Sequence, residues 1–101
     1  MKVFWTREAL VRLQEINSFI AEDNPGMADI FVDELISTAE SLEKFPERGR
    51  VVPELSIETI REIIYKKYRI VYLIKKKSID VLTVFEGHQQ LKRNELIKTK
   101  P

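Results

Sequence analysis

Across residues 7–22, apolar side chains recur at Leu10, Leu13, Ile16 and Ile20, with Ala9 and Phe19 beside them. Spacings of three and four put such residues on one side of a helix. Thr6 stands before the run as an N-cap, and Glu8 falls in the first turn, where a carboxylate meets the positive end of the helix dipole. Asn24-Pro25-Gly26 breaks the pattern and restarts it, with Asn24 as the next cap and Pro25 at the first helical position. A second stripe, Ala28, Phe31, Val32, Leu35, Ala39 and Leu42, predicts a helix over residues 25–44. Two amphipathic helices with a tight connection make a helical hairpin, and each needs an apolar surface to cover.

Further along, the pattern changes period. Residues 60–65, 68–74 and 79–86 are rich in Ile, Val, Tyr, Phe and Thr, which suit a pleated surface, and predict three strands. Lys66-Lys67 and residues 75–78 are connections short enough to make the neighbours antiparallel. Neither holds Asn-Gly or Asp-Gly, so the turn chemistry leaves the registers open. Arg61, Lys66, Lys67 and Arg69 are read as gathered around the first of these turns. Residues 2–5 form a short strand added at one edge. The predicted fold class is α+β, in the order β-α-α-β-β-β, with the helical hairpin packed on a small antiparallel sheet.

Between hairpin and strands, Pro46-Glu47-Arg48-Gly49-Arg50 stops the second helix and turns the chain, with Gly49 expected at a positive φ. Residues 51–59 form a connection long for a compact domain, and such loops often carry function. Arg48 and Arg50 could hold a phosphate; the plainer reading is a solvated turn with one arginine paired to Glu47 or Glu54. Trp5 and Phe19 are read as core or partner-facing aromatics in preference to a base-stacking platform.

Composition narrows the chemistry. One domain spanning residues 1–101 is expected, with a basic tail over about 92–101. With no cysteine, disulfides and thiolate catalysis are excluded, and a single histidine excludes a multi-histidine metal centre. Neither a Gly-rich phosphate loop nor a cluster with metal-ligand spacing is present, so no cofactor and no metal are expected. No signal peptide is read at the start, and no stretch is apolar enough to span a membrane, so a cytoplasmic protein is expected. The net charge of +1 hides an asymmetry: residues 1–50 hold six Lys/Arg against ten Asp/Glu, and residues 51–101 hold eleven against six. An acidic front and a basic back suit two kinds of partner.

In this order the residues resemble the RelE/ParE toxin superfamily of type II toxin–antitoxin modules. The resemblance covers about residues 2–91 and rests on Pro46-Glu47-Arg48-Gly49-Arg50, Ile60-Arg61-Glu62 and Tyr68-Arg69-Ile70-Val71-Tyr72. The two long helices and the turn at 46–50 look more like the ParE and plasmid-stabilisation branch than the compact RelE branch. The resemblance implies a growth-inhibiting toxin that poisons DNA gyrase and is neutralised by a cognate antitoxin in a hetero-oligomeric complex.

The alternative it carries is a RelE-like endoribonuclease that cleaves mRNA on the ribosome. That chemistry needs a base, an acid for the leaving oxygen and cations around the phosphate. Its candidate catalytic residues are Arg69, which matches the arginine of the YR strand motif, Arg61 on the preceding strand, and His88. A free imidazole titrates near 6.5, which suits proton transfer, although a lone histidine beside a glycine is more often structural or simply exposed. Gln89 falls where such toxins often carry an arginine, and no tyrosine follows Tyr72. A second alternative is an inactive family member that only binds antitoxin. Candidate target-binding residues are Arg61, Lys66, Lys67, Arg69, Lys92 and Arg93.

Overall fold

Thr6 and Asn24 start the two helices as their side-chain chemistry dictates. In a computed structural model, which describes residues 1–87, the Thr6 hydroxyl accepts the Ala9 amide at 3.1 Å and donates to the Leu82 carbonyl at 3.0 Å. The cap thereby also pins α1 (Arg7–Ala21) to the sheet. Asn24 accepts the Met27 amide at 3.1 Å and opens α2 (Pro25–Glu40), with Pro25 in its first turn. Each such cap contributes about 1 kcal/mol relative to alanine.

Two details of the helices differ from the sequence pattern. The buried stripe of α1 is Ala9, Leu13 and Ile16 with Ile20 alongside, whereas Leu10 and Phe19 point outward, Phe19 with 68% of its surface exposed. The α-helical part of α2 ends at Glu40 and tightens into a 3₁₀ turn, Ser41–Glu43. There Ser41 Oγ donates to the Thr38 carbonyl at 2.6 Å and Thr38 to the Glu34 carbonyl at 2.8 Å. Hydroxyls bonding back to these carbonyls compete with the regular ladder at its end. Leu42 is still fully buried by the tighter turn.

The sheet has five strands: β1 (Lys2–Trp5), β2 (Arg50–Val51), β3 (Ile60–Tyr65), β4 (Tyr68–Ile74) and β5 (Ser78–Glu86), in the spatial order β1-β5-β4-β3-β2. The three consecutive strands pair antiparallel, as their short turns require. β1 does lie at an edge, but it runs parallel to β5, so the sheet is mixed. A parallel neighbour needs a long crossover, and the hairpin together with β3 and β4 supplies it. The two-residue β2 was not anticipated; it adds to β3 opposite Arg61 and Glu62.

Lys66 takes φ 53° in the two-residue turn between β3 and β4. The hairpin therefore uses a left-handed first turn residue without the glycine or asparagine that usually supplies one. Gly49 does not have a positive φ. Its glycine is required for space instead: a Cβ there would stand 2.6 Å from the Tyr72 phenol oxygen and 2.9 Å from the Glu62 carbonyl carbon.

Both faces of the sheet are covered. The helices bury Ile63, Ile70, Tyr72, Ile79 and Val84 on one face with Leu13 and Leu35. On the other, residues 51–59 cross the sheet and bury Val52 and Leu55 against Val71 and Leu82. Double coverage explains why β4 reads as a nearly continuous apolar run where a half-buried strand would alternate. Between Val71 and Tyr72 the β4–β5 register shifts, and Leu82 is the residue left without an opposite partner.

Candidate site around Arg69

Arg69 is the one charged group of β4, and it is 5% exposed. It sits on the face crossed by residues 51–59. Its Nε donates to Glu62 Oε1 at 2.6 Å, and Nη2 approaches the same oxygen at 2.5 Å. The other side of the guanidinium forks onto Glu54, Nη1 to Oε2 and Nη2 to Oε1, each at 2.8 Å. The planar cation also lies over the Phe85 ring, 5.0 Å from its centre. Glu62 comes from β3 and is fully buried, and its second oxygen accepts from Arg50 Nε at 2.6 Å. Two arginines and two carboxylates are thus linked in a row, Arg50–Glu62–Arg69–Glu54. The hydrogen bond that Arg69 donates to Glu54 is the largest influence on its guanidinium and holds it above its ordinary range, with burial opposing and Glu62 reinforcing.

The sequence pairs one turn arginine with Glu47 or Glu54; the structure pairs Glu54 with Arg69. Arg50 takes Glu62, and Arg48 donates to Ser41 Oγ at 2.9 Å. Glu54 and Glu62 are the functional surroundings that a reading centred on cations misses. The signal for Glu54 was its position between Val52 and Leu55, two apolar residues in a loop that must bury them.

The other candidate residues do not converge on Arg69. Arg61 is not at the Lys66-Lys67 turn: it lies opposite Tyr72, near the far end of the β3–β4 hairpin. Five residue steps separate it from Lys66, about 17 Å at roughly 3.3 Å each. Its guanidinium donates to the Gly49 and Glu58 carbonyls, tying the turn at 46–50 to β3. Lys66 Nζ stands 5.7 Å from the Phe31 ring centre and 5.6 Å from that of Tyr65. Lys67 is 71% exposed, with Glu86 at 3.8 Å. Lys66 and Lys67 are therefore the accessible cations of this group. His88, Gln89, Lys92 and Arg93 lie outside the described residues.

Near the same turn, Tyr65 hydrogen-bonds Glu34 of α2, and that bond is the main reason its phenol is raised above its usual range. Phe31 packs between Tyr65 and Tyr68, with ring centres 5.6 and 5.4 Å away. Because β2 spans only two residues, the edge of β3 at Ile63–Tyr65 has no strand beside it among the described residues, and Ile64 is half exposed. Met27 and Ile30 of α2 are exposed as well. Residues 7–40 carry two arginines against eight carboxylates, so this side of the molecule is acidic. Among the described residues no helix is long and apolar enough to cross a membrane.

A strand, a helical hairpin and a mixed sheet in this arrangement define a small α+β protein. A chain of the chromosomal ParDE TA system from P. aeruginosa shares the fold with a TM-score of 0.72 at 20% identity, over 85% of this chain and 95% of that one. The family model described as ParE toxin of type II toxin-antitoxin system, parDE, matches residues 3–91, and the chain belongs to that family. It is 33% identical over 91 residues to Y4kP, a candidate toxin of Sinorhizobium fredii, covering 88% of this chain and 91% of the relative. It is also 36% identical over 63 residues to toxin RelE2 of Caulobacter vibrioides, covering 62% and 67%. The protein is thus the toxin of a type II pair, and its partner is a cognate antitoxin.

Proposed function

We propose that this toxin acts on DNA gyrase, as the ParE resemblance implies, and inhibits it without catalysing a reaction. The observation that carries this reading is the state of Arg69. An RNase of the RelE kind would need that arginine open to a phosphate in the transition state. Here it is buried and bound to two carboxylates of its own chain. Target contact is then the task of Lys66 and Lys67 at the hairpin turn, with Lys92 and Arg93 further along the chain, while Arg61 holds the 46–50 turn at the other end of β3. Parallel assays of the purified protein test the proposal: inhibition of gyrase supercoiling is expected, and cleavage of ribosome-bound mRNA with gyrase untouched would reverse it.

The antitoxin, in this reading, meets the acidic hairpin and the open edge of β3. Ile64 offers backbone groups for an added strand, and Phe31, Met27 and Ile30 offer apolar surface to an amphipathic, basic helix. Growth arrest on expression alone, relieved by co-expressed antitoxin, is the expected behaviour. Healthy growth at high soluble expression without antitoxin would favour an inactive member.

One observation favours the ribonuclease as a second reading, namely that a relative of comparable similarity carries the name RelE2.

A further inference from the structure

We propose that copies of this chain associate head to tail, with Phe19 of one molecule entering the cavity beside Phe45 of the next. The cavity has a volume of about 550 Å³, within the ordinary size range of sites that take up an apolar group. Its apolar lining is Met1, Phe45, Pro46 and Ile74. Lys44 and Arg48 border it as well, against one carboxylate, Glu47. Among the described residues Lys44 has no ion pair, and Arg48 donates to Ser41 Oγ and to no carboxylate. The hollow is therefore apolar with unneutralised positive charge at its border, and it suits an apolar side chain that carries carboxylates beside it.

The same chain carries that complement. Phe19 is the most exposed large apolar residue among those described, and it stands on the outer side of α1 in one shallow groove with Val11, Glu15 and Glu22. Spacings of four and three put the two carboxylates one turn to either side of the ring. Glu15 is shared with Arg12 at 3.2 Å, whereas Glu22 has no ion pair among the described residues. A molecule cannot fill its own cavity. Phe19 lies in the last turn of α1, where Asn17 reaches Asp29 in the first turns of α2, and Lys44 lies past the other end of that helix. Sixteen helical residues, roughly 24 Å at 1.5 Å each, separate the two surfaces. An apolar side chain that fits a pocket elsewhere on an identical molecule makes a heterologous contact, which adds copies in a row without closing on itself. The contact uses neither the turn lysines nor the open edge of β3, so it holds whichever target the toxin has.

Sedimentation of the full chain, without antitoxin, tests the proposal. The wild-type protein should sediment faster as its concentration rises, without levelling off at a dimer, and added salt should weaken the trend. Phe19→Ser and Lys44→Glu, both at exposed positions, should each weaken association about tenfold or more. Mixed in equal amounts, the two variants should pair again and stop at the dimer. The Lys44→Glu molecule still offers Phe19, and the Phe19→Ser molecule still offers the cavity, but neither can extend the row. A wild-type protein that stays monomeric at its highest soluble concentration would overturn the proposal, as would a mixture that stays monomeric. A closed dimer through two α1 faces would be lost in Phe19→Ser and kept in Lys44→Glu, and that result would overturn it too. Should either variant fail to fold, Phe19→Gln or Lys44→Gln takes its place in the same mixing experiment.

Discussion

The phenol oxygen of Tyr72 accepts the Gly49 amide at 2.9 Å and donates to the Pro46 carbonyl at 2.8 Å. One fully buried side chain on β4 thereby fixes both ends of the turn that leads from the helices to the sheet. Any side chain at position 49 would be forced into that bond and into the Glu62 backbone. Gly49→Ala should therefore cost about 1–3 kcal/mol, the usual range for overpacking. Tyr72→Phe, which leaves the Gly49 amide without its acceptor, should also cost about 1–3 kcal/mol. Urea midpoints of the two variants check this, and a loss below about 0.5 kcal/mol in both would mean the turn is held elsewhere.

The same phenol predicts a pH effect. Burial raises the Tyr72 pKa above its usual value, the Gly49 bond and Arg61 opposing in part. An unfolded tyrosine ionises near 10. Above that pH the unfolded chain releases a proton that the native chain keeps, so ionisation favours unfolding. The contribution is complete below about pH 10 and is lost as the pH rises through the raised native value. Tyr65 and Tyr68 are raised too, so the informative quantity is a difference. Above pH 10, wild-type stability should fall more steeply than that of Tyr72→Phe, by up to about 1.4 kcal/mol per pH unit for the one proton. Parallel slopes would remove Tyr72 from the titration.

Arg69→Ala leaves Glu62 buried with Arg50 and removes the forked bond to Glu54. Breaking a buried pair from one side typically costs about 3–5 kcal/mol. Thermal or urea unfolding should show a loss of that size, and any fall in toxicity should track it. Arg69→Lys keeps the charge but lacks the fork that grips two carboxylates, so it should lose part of that stability. An Arg69→Ala protein that remains as stable as wild type yet is not toxic would make the residue a target contact.

Much of the fold could be read from the chain because its signals are local. Thr6, Asn24-Pro25 and the apolar spacings specify helices before any packing is considered, and the Ile, Val and Tyr runs specify strands. The parallel pairing of β1 and the coverage of both sheet faces depend on contacts between segments far apart, which periodicity does not encode. The candidate site was legible as residues and not as an arrangement. Arg69 carries the motif, but its burial follows from Val52 and Leu55 pulling Glu54 across the sheet. Arg61 lies on the strand that leads into the turn lysines, and only the register reveals that it sits at the other end. Gly49 was singled out correctly for the wrong physical reason: the constraint is a close approach of Glu62 and Tyr72, which no local rule describes.

Lys66 and Lys67 make a sharper functional test than the arginines, because neither is built into the core. Lys67→Ala should change stability by no more than about 0.5 kcal/mol, as exposed substitutions do. Lys66→Ala loses the two ring contacts and should cost about 0.5–1 kcal/mol. If the turn meets the target, the double variant should lose toxicity while keeping antitoxin affinity, and residual toxicity should fall further with salt as the remaining charges are screened. Full toxicity in the double variant would move the target-facing surface away from the hairpin.

His88 separates the two mechanisms most directly. In a ribonuclease it is the group suited to moving a proton near neutral pH, since an unperturbed imidazole titrates near 6.5. General acid–base catalysis typically contributes about 10²–10⁴-fold, so His88→Ala should reduce mRNA cleavage by that factor and leave ribosome binding nearly intact. Inhibition of gyrase by binding requires no proton transfer at this position. Toxicity would then depend on contact surface and charge, with Lys92 and Arg93 contributing sequence-blind, salt-sensitive attraction to an acidic or nucleic-acid surface. The expected result is that His88→Gln is nearly silent in a growth assay, while Lys92→Ala with Arg93→Ala weakens inhibition in a salt-dependent way. Loss of toxicity from His88→Gln alone, with folding and antitoxin affinity preserved, would put the RelE-like enzyme ahead of the gyrase inhibitor.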